Sequence, residues 1–407
     1  MAITIVSQPT SNVTLPAYRP IIVSCTSSTT IAVMYCDVYK MDSTGAYQYV
    51  RSVAKNTAPY TFDLSRIVQD SIPLITPFFN DSLYHDSSLA IFAIKVRTAT
   101  LNTSGIITQD DTPPVQGTDT TVPVTGTGQI GNVFSAVSAT LKHTDNQDLI
   151  QNLVAYQNRA WANGAVPLTH RPKVITLSRT DSEYFPVLNQ NNQVMSLTLG
   201  YLMGGVDRTA TINFATTTVP AIVRIPLGVP NIASLFTNVD FNYVTSYFIK
   251  FNDHNGNVIG TTSTVTLANV SDTTVRIYFL NALGEYDSTT FETIKETTQI
   301  KSASYIKNLP YNFAKSDTGS LSTNLNALEM FEVRHTSYDP IETEWLKEVM
   351  ISPKLYVQTK GAQNQPDFLE PIFREDFKFD SYSIAKQYKS EMTFVYRKAN
   401  DIIVIRN

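Results

Sequence analysis

Short runs of alternating apolar and polar residues, separated by turn residues, recur along the whole chain and constrain its fold more than any other feature. The clearest example is TIAVMYCDVYKMDSTGAYQYVRSVA at 30–54, where two such runs flank Asp42-Ser43-Thr44-Gly45. A period of two residues is that of a strand with one buried face, and glycine in the intervening turn favours a hairpin. The sequence therefore predicts a mainly β protein with several domains.

The first 110 residues hold enough of these runs for one β-sandwich. RPIIVSCTS precedes the hairpin and LAIFAIKVRTAT follows it, which predicts an immunoglobulin-like sandwich domain over residues 1–110. The segment TFDLSRIVQDSIP at 61–73 interrupts the strands with a short helix, which Asp63 caps and Pro73 ends. The residues of this helix that we expect to face inward are Leu64, Ile67 and Val68.

Two cysteines, Cys25 and Cys36, lie in these β-type runs. We expect both to be buried free thiols of a protein that is made in a reducing cytosol. A disulfide between them requires that their two strands pair, because the sulfur atoms must come within bonding distance. The sequence leaves open whether they do.

A change in composition follows the first domain. Residues 102–128 are rich in Thr, Gly, Pro and Asp, which predicts a linker or long surface loop. We assign 111–165 to this linker and to a helix, because Thr144 and Gln147 have the spacing of a capping box. The apolar stripe of this helix comprises Leu149, Leu153, Tyr156 and Ala160, with Ile150, Val154 and Trp161 beside it.

Further strand-type runs predict a middle β-sandwich over residues 166–300. NDHNGN at 252–257 has the composition of a hairpin turn. The stretch YFLNALGEYDSTTF at 278–291 predicts a tight corner between two strands rather than a catalytic loop. In that corner Gly284 takes a positive φ, while Asn281 and Asp287 bond the backbone locally.

The last region, residues 301–407, mixes strands with the best helix signal of the chain. In DPIETEWLKEVMISP at 339–353, Asp339 caps the helix, Glu342 completes a capping box and Pro353 ends the helix. The apolar face comprises Trp345, Leu346, Val349 and Met350, and the solvent face comprises Glu342, Glu344, Lys347 and Glu348. We expect the apolar face to cover the final strands, MTFVYR and IIVIR, in a C-terminal α+β domain.

One short motif matches a known phosphate-binding pattern. Gly126, Gly128 and Gly131 form a literal G-x-G-x-x-G in GTGQIG. A dinucleotide site needs a buried strand before this motif and a helix at its last glycine, whereas TDTTVPVT before it is polar and contains Pro123. We therefore interpret these glycines as part of a flexible linker.

The ionisable residues give no pattern of a reaction site. No histidine lies three to five positions from another histidine or from a cysteine, and no G-x-S-x-G motif is present. Acids from distant strands leave no linear trace, but Glu183, Glu285 and Asp287 all stand beside turns, which does not favour a glycosidase pair. The sequence predicts a protein that is not an enzyme, with no catalytic, cofactor-binding or metal-ligating residues and no cofactor.

Composition narrows the class of partner. Charged residues make up 16% of the chain, whereas about a quarter is usual, and the net charge is −4 without a basic cluster. The 21 Tyr and 20 Phe suit surfaces that meet other protein surfaces, where aromatics are enriched and charge is depleted. We expect no nucleic-acid site, no signal peptide and no membrane segment.

Three segments carry a resemblance to a known group of proteins. ITIVSQPTSNVTLPAYRPI opens the N-terminal sandwich, IYFLNALGEYDSTTFE lies in the middle, and EWLKEVMISPKLYV followed by MTFVYR closes the chain. Their order resembles that of virion proteins of tailed phages that infect Bacteroidetes, including crAss-like phages. The resemblance implies a structural neck or tail protein that forms a ring of identical copies, and it implies no catalytic residues.

The expected partners follow from this resemblance. They are other copies of the chain and the neighbouring virion proteins of the portal, neck or tail, with synthesis in the host cytoplasm and a final location in the virion. Position in the particle and copy number stay open. The alternative is a tail fibre or adhesin-type module that binds a host surface glycan through Tyr and Trp platforms. A glycan-cleaving virion hydrolase is a third hypothesis.

Overall fold

The computed structural model of the chain shows a mainly β protein with several sheets and few short helices, as the sequence predicts. It divides into two compact units, the first comprising 1–169, 184–265 and 282–285, and the second 170–183, 266–281 and 286–407. The residues that the structure describes are 3–9, 11, 14–28, 30–42, 44–72, 84–86, 89–101, 104, 107–109, 129–137, 165–189, 196–213, 221–253, 255–268, 273–306, 308, 311–312, 314, 320–359, 368–384, 387–399 and 403–405.

The first unit begins with a two-sheet sandwich. Its elements, in chain order, are β1 (Ile3–Ser7), β2 (Thr14–Pro16), β3 (Ile22–Ser27), β4 (Val33–Met41), β5 (Tyr47–Lys55), β6 (Tyr60–Asp63), α1 (Ser65–Ser71), β8 (Leu89–Leu101), β9 (Ile107–Gln109), β10 (Gln129–Ile130) and β11 (Phe134–Val137). Strand β7 (Tyr84–Asp86), which precedes β8 in the chain, belongs to another sheet and pairs there with residues 222–224. One sheet has the order β1-β3-β6 and the other β2-β11-β8-β4-β5, with β9 and β10 also on β8. This order is compatible with the predicted immunoglobulin-like sandwich.

Side chains from both sheets form one core in this sandwich. Phe62 of the first sheet packs with Phe92 and Phe134 of the second, and the last two rings stack with centroids 5.8 Å apart. Cys25 and Cys36 lie in the same core on opposite sheets, and both are free thiols, as expected. Burial raises the pKa of the Cys25 thiol to about 11, so the reactive thiolate is scarce at neutral pH.

The rest of the first unit contains a second pair of sheets with a similar strand order. Its strands are β12 (Ala165–Pro167), β14 (Tyr184–Asn189), β15 (Ser196–Met203), β16 (Val206–Asn213), β17 (Ala221–Pro226), β18 (Val244–Asn252), β19 (Val258–Thr261) and β20 (Thr264–Leu267), which also enters the second unit. The order β12-β14-β17 matches β1-β3-β6, and β18-β15-β16 matches β8-β4-β5. A short helix follows the third strand of the first sheet in both cases, since α1 follows β6 and α2 (Val229–Ile232) follows β17. We read the first unit as a tandem pair of sandwiches.

Two of the predicted turns share one geometry. The Asp42 carboxylate accepts hydrogen bonds from the amides of Thr44 and Ala46, and Gly45 has φ +87°. Asp253 accepts in the same way from the amides two and four residues later, and Gly256 has φ +79°. An aspartate that binds the following amides and a glycine in the left-handed region together fix each hairpin.

The second unit is built on a closed antiparallel sheet. The strands of this sheet are β21 (Thr274–Leu280), β22 (Tyr286–Ile306), β23 (Ser320–Ser337), β24 (Leu355–Thr359), β25 (Phe368–Ile384), β26 (Gln387–Lys398) and β27 (Ile403–Ile405). The unit also contains β13 (Val174–Leu177), which pairs with β20 instead. β21, β22, β23, β26, β25 and β24 pair in this order, and β24 pairs again with β21. The domain boundary predicted at residue 300 falls inside β22, and this sheet already begins at Thr274.

The predicted C-terminal helix is α3 (Pro340–Ile351), which packs into this sheet. Asp339 caps it by accepting a hydrogen bond from the Ile341 amide at 2.9 Å, as expected. Trp345 is only 3% exposed and shares a core with Phe394 of the predicted cover strand MTFVYR. Two expectations were wrong. Glu348 is buried, and the Glu342 carboxylate accepts from the hydroxyl of Ser337 rather than from the Asp339 amide, which bonds to Ser337.

Other predictions had mixed outcomes. Helix α1 buries Ile67 and Val68, as expected. The cap position is Leu64, but the preceding residue, Asp63, accepts a hydrogen bond from the Ser65 amide at 2.9 Å.

The linker predicted over 102–128 contains strand β9, which pairs with β8, so part of it belongs to a sheet. The helix predicted around Thr144–Trp161 and the stop at Pro73 lie outside the described residues. No helix in the described parts has the length and apolar character that a membrane span needs.

Candidate functional site

The densest group of charged side chains in the described second unit is here called the charge cluster and comprises Arg171, Asp181, Glu183, Arg276 and Asp287. Arg276 lies on β21 and Asp287 on β22. The other three come from residues 170–183, a segment we call the strap. Glu183 is 2% exposed and Asp287 is fully buried, so the cluster is shielded from water.

Both arginines bridge carboxylates in this cluster. Arg171 Nη2 donates to Glu183 Oε1 at 3.1 Å and to Asp287 Oδ1 at 2.5 Å. Arg276 donates to Asp181 at 3.2 Å and also to the second oxygen of Glu183. The strap is therefore held on β21 and β22 by charge-assisted hydrogen bonds, which are stronger than neutral ones.

Neutral groups complete the network. The Trp345 indole N–H donates to Asp287 Oδ2 at 2.8 Å, and the Ser288 hydroxyl donates to Glu183. The Tyr278 hydroxyl donates to the Ser182 carbonyl oxygen at 2.5 Å. Asp287 thus connects the strap, β22 and α3, because its two oxygens bind Arg171 and Trp345.

The electrostatics of the cluster favour fixed charges. Burial alone would lower the pKa of the Arg276 guanidinium, but Asp181 and Glu183 outweigh it and raise that pKa above its ordinary value. The pKa of Arg171 is raised against burial in the same way by Asp287 and Glu183. Burial raises the pKa of Tyr278 far above its usual range. The two arginines and Tyr278 therefore keep one protonation state near neutral pH. This property fits a structural network of ion pairs better than a site of proton transfer.

The cluster corrects one prediction from the sequence. Asp287 does not bond the backbone locally, since its oxygens bind Arg171 and Trp345. The corner itself is confirmed, because β21 and β22 form an antiparallel hairpin and Gly284 has φ +87°. The partners are 58 to 116 positions apart in the sequence, so their spacing gives no motif. The sequence contains one signal of this cluster, which is Arg276 inside the apolar run TVRIYFL. An arginine in a buried strand needs acidic partners, so its position predicts a buried ion pair.

The histidines take part in separate contacts. His170 Nδ1 lies 2.6 Å from Glu348 Oε1, and His335 Nδ1 lies 2.7 Å from the Thr290 carbonyl oxygen. Within the part of the chain that the structure describes, no three His, Cys, Asp or Glu side chains are grouped so as to hold a metal ion. His143 and His254 lie outside that part, and His85 lies on β7.

The literal glycine motif does not open a helix. Gly131, its last residue, follows β10, and strand β11 begins three residues later. The Gly131 amide donates to the Ile94 carbonyl oxygen at 2.9 Å, and a Cβ there would lie 2.4 Å from Ile94 Cγ1. Gly131 is therefore fixed against β8 rather than part of a flexible linker. Gly126 and Gly128 lie outside the described residues.

A second feature of the second unit is a long extension, here called the arm, formed by 294–306 of β22 and 320–332 of β23, with the short strand β27 paired to residues 325–327 of β23. These segments pair with each other in an antiparallel ladder. Residues 294–299 are all exposed, although neighbouring residues of a strand point to opposite faces. Neither face of this part of β22 is covered by the described chain.

Comparison with known proteins adds little to these observations. No protein-family model matches the chain, and no curated protein matches it. One solved structure similar to this chain is described as "Structural insight into host cell surface retention of a 1.5-MDa bacterial ice-binding adhesin". It is 10% identical, with 84% of this chain and 93% of that chain covered and a TM-score of 0.19. A likeness at that score supports no conclusion about fold or function.

Proposed function

We propose that the protein is a structural component of a bacteriophage virion, a ring-forming neck or tail protein that assembles in multiple copies around the portal–tail axis. Its partners are then other copies of itself and the neighbouring virion proteins. It is made in the host cytoplasm and resides in the virion. The resemblance of its ordered segments to such proteins and its low charge fraction support this proposal.

The observation that carries the proposal is the arm. The arm extends the β22–β23 ladder past the core of its own sheet, and β27 adds a third strand only beside residues 325–327 of β23. A two-stranded hairpin is marginally stable at best in water, so the rest of the arm gains little from its own pairing. Its exposed residues, 294–299, offer two faces and an edge on which a neighbouring molecule can pack. In an assembly, the arm becomes stable when a neighbouring subunit packs on these exposed faces.

The alternative, a glycan-binding module, depended on exposed aromatic platforms. Trp345 is one of two tryptophans in the chain, and it is buried with its N–H bound to Asp287. A sugar ring cannot stack on it in this position. Trp161, the second tryptophan, lies outside the described residues.

Electron microscopy and analytical ultracentrifugation of the purified protein test the proposal. We expect particles of several copies related by rotation. A shortened variant tests the role of the arm. It lacks residues 297–330, and an Asn-Gly turn joins Glu296 to Phe331, which lie opposite each other in the ladder. This shortened variant should lose assembly while β22 keeps its pairing with β21.

A different state of association would contradict the proposed ring. A strict monomer at every concentration, together with a single copy of the protein in purified phage particles, would overturn the proposal. Specific binding of a monomer to a host surface glycan would favour the alternative instead.

A further inference from the structure

The two hairpins of the first unit that share one turn geometry differ at a chemically reactive position. In both turns the glycine amide donates to the carbonyl oxygen of the turn aspartate, at 3.1 Å from Gly45 and at 3.0 Å from Gly256. The residue before the glycine is Thr44 in the first turn and Asn255 in the second. Of the two turns, the second therefore carries an asparagine side chain next to a glycine nitrogen.

Asn255 and Gly256 lie at the exposed tip of the hairpin between β18 and β19. Gly256 has φ +79°, and a Cβ at this position would meet no heavy atom within 4 Å, so the space beside its backbone is open. The Asn255 backbone amide donates to Asp253 Oδ1, whereas its side-chain amide makes no hydrogen bond within the described residues. The side chain is therefore free to turn toward the Gly256 nitrogen.

We propose that Asn255 is a site of spontaneous deamidation in the folded protein. Hydroxide from the solvent takes the proton of the Gly256 amide, and that nitrogen attacks Cγ of Asn255. The new C–N bond closes a succinimide ring, and the side-chain nitrogen leaves as ammonia after it takes a proton from water. Glycine permits this approach because it has no Cβ beside the attacking nitrogen.

Water then opens the succinimide ring at either of its carbonyl carbons. Attack at Cγ gives aspartate with the ordinary backbone, whereas attack at the main-chain carbonyl carbon gives isoaspartate, in which the backbone runs through Cγ. The net reaction consumes water and releases ammonia, and nothing is oxidised or reduced. Both products carry a negative charge at position 255 that asparagine lacks.

The turn slows this reaction but does not prevent it. The Gly256 N–H is bound to the Asp253 carbonyl oxygen, so this hydrogen bond must open before the nitrogen can attack. Exposed turns open locally at little cost in free energy, without unfolding of the domain. The folded protein should therefore deamidate more slowly than the unfolded chain, and only at the tip of this hairpin.

The products weaken the contact that fixes the turn. Asp253 Oδ1 accepts hydrogen bonds at 2.8 Å from the amides of both Asn255 and Asn257. Isoaspartate adds a backbone atom between these two amides, so one carboxylate oxygen no longer binds both in the same geometry. We expect the β18–β19 hairpin to open more often, while the rest of the sandwich keeps its fold.

Asn257 is the matched control within the same hairpin. It is also exposed, but its side-chain amide donates to Asp253 Oδ2 at 3.1 Å. The next residue is Val258, whose branched side chain crowds the backbone nitrogen that would have to attack. Asn257 should therefore keep its amide while Asn255 loses it.

Mass spectrometry of the tryptic peptide 251–276 tests the proposal. The purified chain is incubated in mildly alkaline buffer, and a sample digested without incubation gives the baseline. We expect the mass gain of an amide-to-acid exchange at position 255. An isoaspartate-specific methyltransferase should label the same peptide, because isoaspartate is one of the two products.

Asn255→Thr is the variant that removes the reaction and keeps the turn. In the first hairpin Thr44 occupies this position, and its hydroxyl donates to Asp42 Oδ1 at 2.7 Å. The variant should melt like wild type and show no mass gain at position 255. Amide hydrogen exchange in β18 and β19 should become faster on incubation of wild type and stay constant in Asn255→Thr.

Two results would overturn the proposal. One is an intact amide at position 255 in the folded chain after a parallel sample unfolded in urea has lost it. The other is equal loss at Asn255 and Asn257, which would mean that the turn and the following glycine do not select the site. Neither result depends on the association of copies, so the proposed function would stand in both cases.

Discussion

The two halves of strands β22 and β23 show how one hydrogen-bonded ladder can have two different sources of stability. The base half comprises residues 286–293 of β22 and 333–337 of β23. In it, Phe291 and Val333 are fully buried in the core of the closed sheet. In the arm half, residues 294–299 are exposed although the ladder continues. Backbone hydrogen bonds add little net stability, so burial decides which half is stable by itself.

The base half also carries the polar network. Asp287 belongs to its part of β22 and binds Arg171 and Trp345, while His335 of β23 contacts the Thr290 carbonyl oxygen. Removing one member of a buried network leaves its partners unsatisfied. We therefore expect substitutions in the base to affect folding and those in the arm to affect assembly.

The largest expected effect is that of Trp345→Ala. Trp345 packs on Phe279, with ring centroids 5.5 Å apart, and lies in the core that the base half shares. The loss of a buried tryptophan should lower the free energy of unfolding by about 3–5 kcal/mol. Chemical denaturation followed by circular dichroism measures this change.

A matched variant separates packing from hydrogen bonding. Trp345→Phe keeps an aromatic ring in the core but removes the N–H that donates to Asp287. We expect it to cost about 1.5–3 kcal/mol, the usual range for a hydrogen bond to a charged group. A wild-type melting curve for Trp345→Ala would show that α3 does not stabilise the base.

The next effect concerns the corner that starts β22. Gly284 has φ +87°, a conformation that a β-branched side chain resists. Gly284→Val should lower stability by about 2 kcal/mol, and Gly284→Asn should lower it less, because asparagine tolerates the left-handed region. Thermal melting compares the two variants, and equal stability of Gly284→Val and wild type would contradict the corner.

Sequence reasoning found the local features of this region and missed the long-range ones. The turn glycine, the Asp339 cap and the apolar face with Trp345 follow from rules that act within a few residues, and the structure contains all three. The pairing of Arg171 with Asp287 spans 116 positions and depends on how the chain closes its sheet. No local pattern encodes such a contact.

The repeated sandwich was missed for a related reason. The two halves of the first unit share strand order rather than a visible sequence period, and an alternating pattern specifies a strand without its neighbours. The arm was missed because residues 294–306, IKETTQIKSASYI, do not alternate between apolar and polar residues as a strand with one buried face does. Exposure on both faces becomes visible only when the sheet that should cover them is known.

A smaller effect should appear in the acid stability of the base. Burial alone would raise the pKa of Glu342, but hydrogen bonds from His335 and Ser337 outweigh it and lower that pKa below the ordinary 4.5. A lowered folded pKa stabilises the protein above about pH 4.5, and this stabilisation is lost as the pH falls through the folded value. Glu342→Gln should therefore flatten the loss of stability below pH 4.5. An unchanged slope in denaturation experiments between pH 5 and 3 would contradict this assignment.

The smallest expected change in stability is that of Thr298→Ala in the arm. Thr298 is exposed, so the free energy of unfolding should change by less than about 0.5 kcal/mol.

Amide hydrogen exchange should nevertheless separate the two halves of β22, because exposed ladders open locally while buried ones open only with the whole domain. At low protein concentration, amides of residues 297–300 should exchange much faster than those of 289–291. If a neighbouring copy packs on the arm, protection of 297–300 should rise with protein concentration, whereas that of 289–291 should not. Equal, concentration-independent protection along the whole of β22 would mean that the arm is stable alone and that the difference between the two halves has no energetic basis.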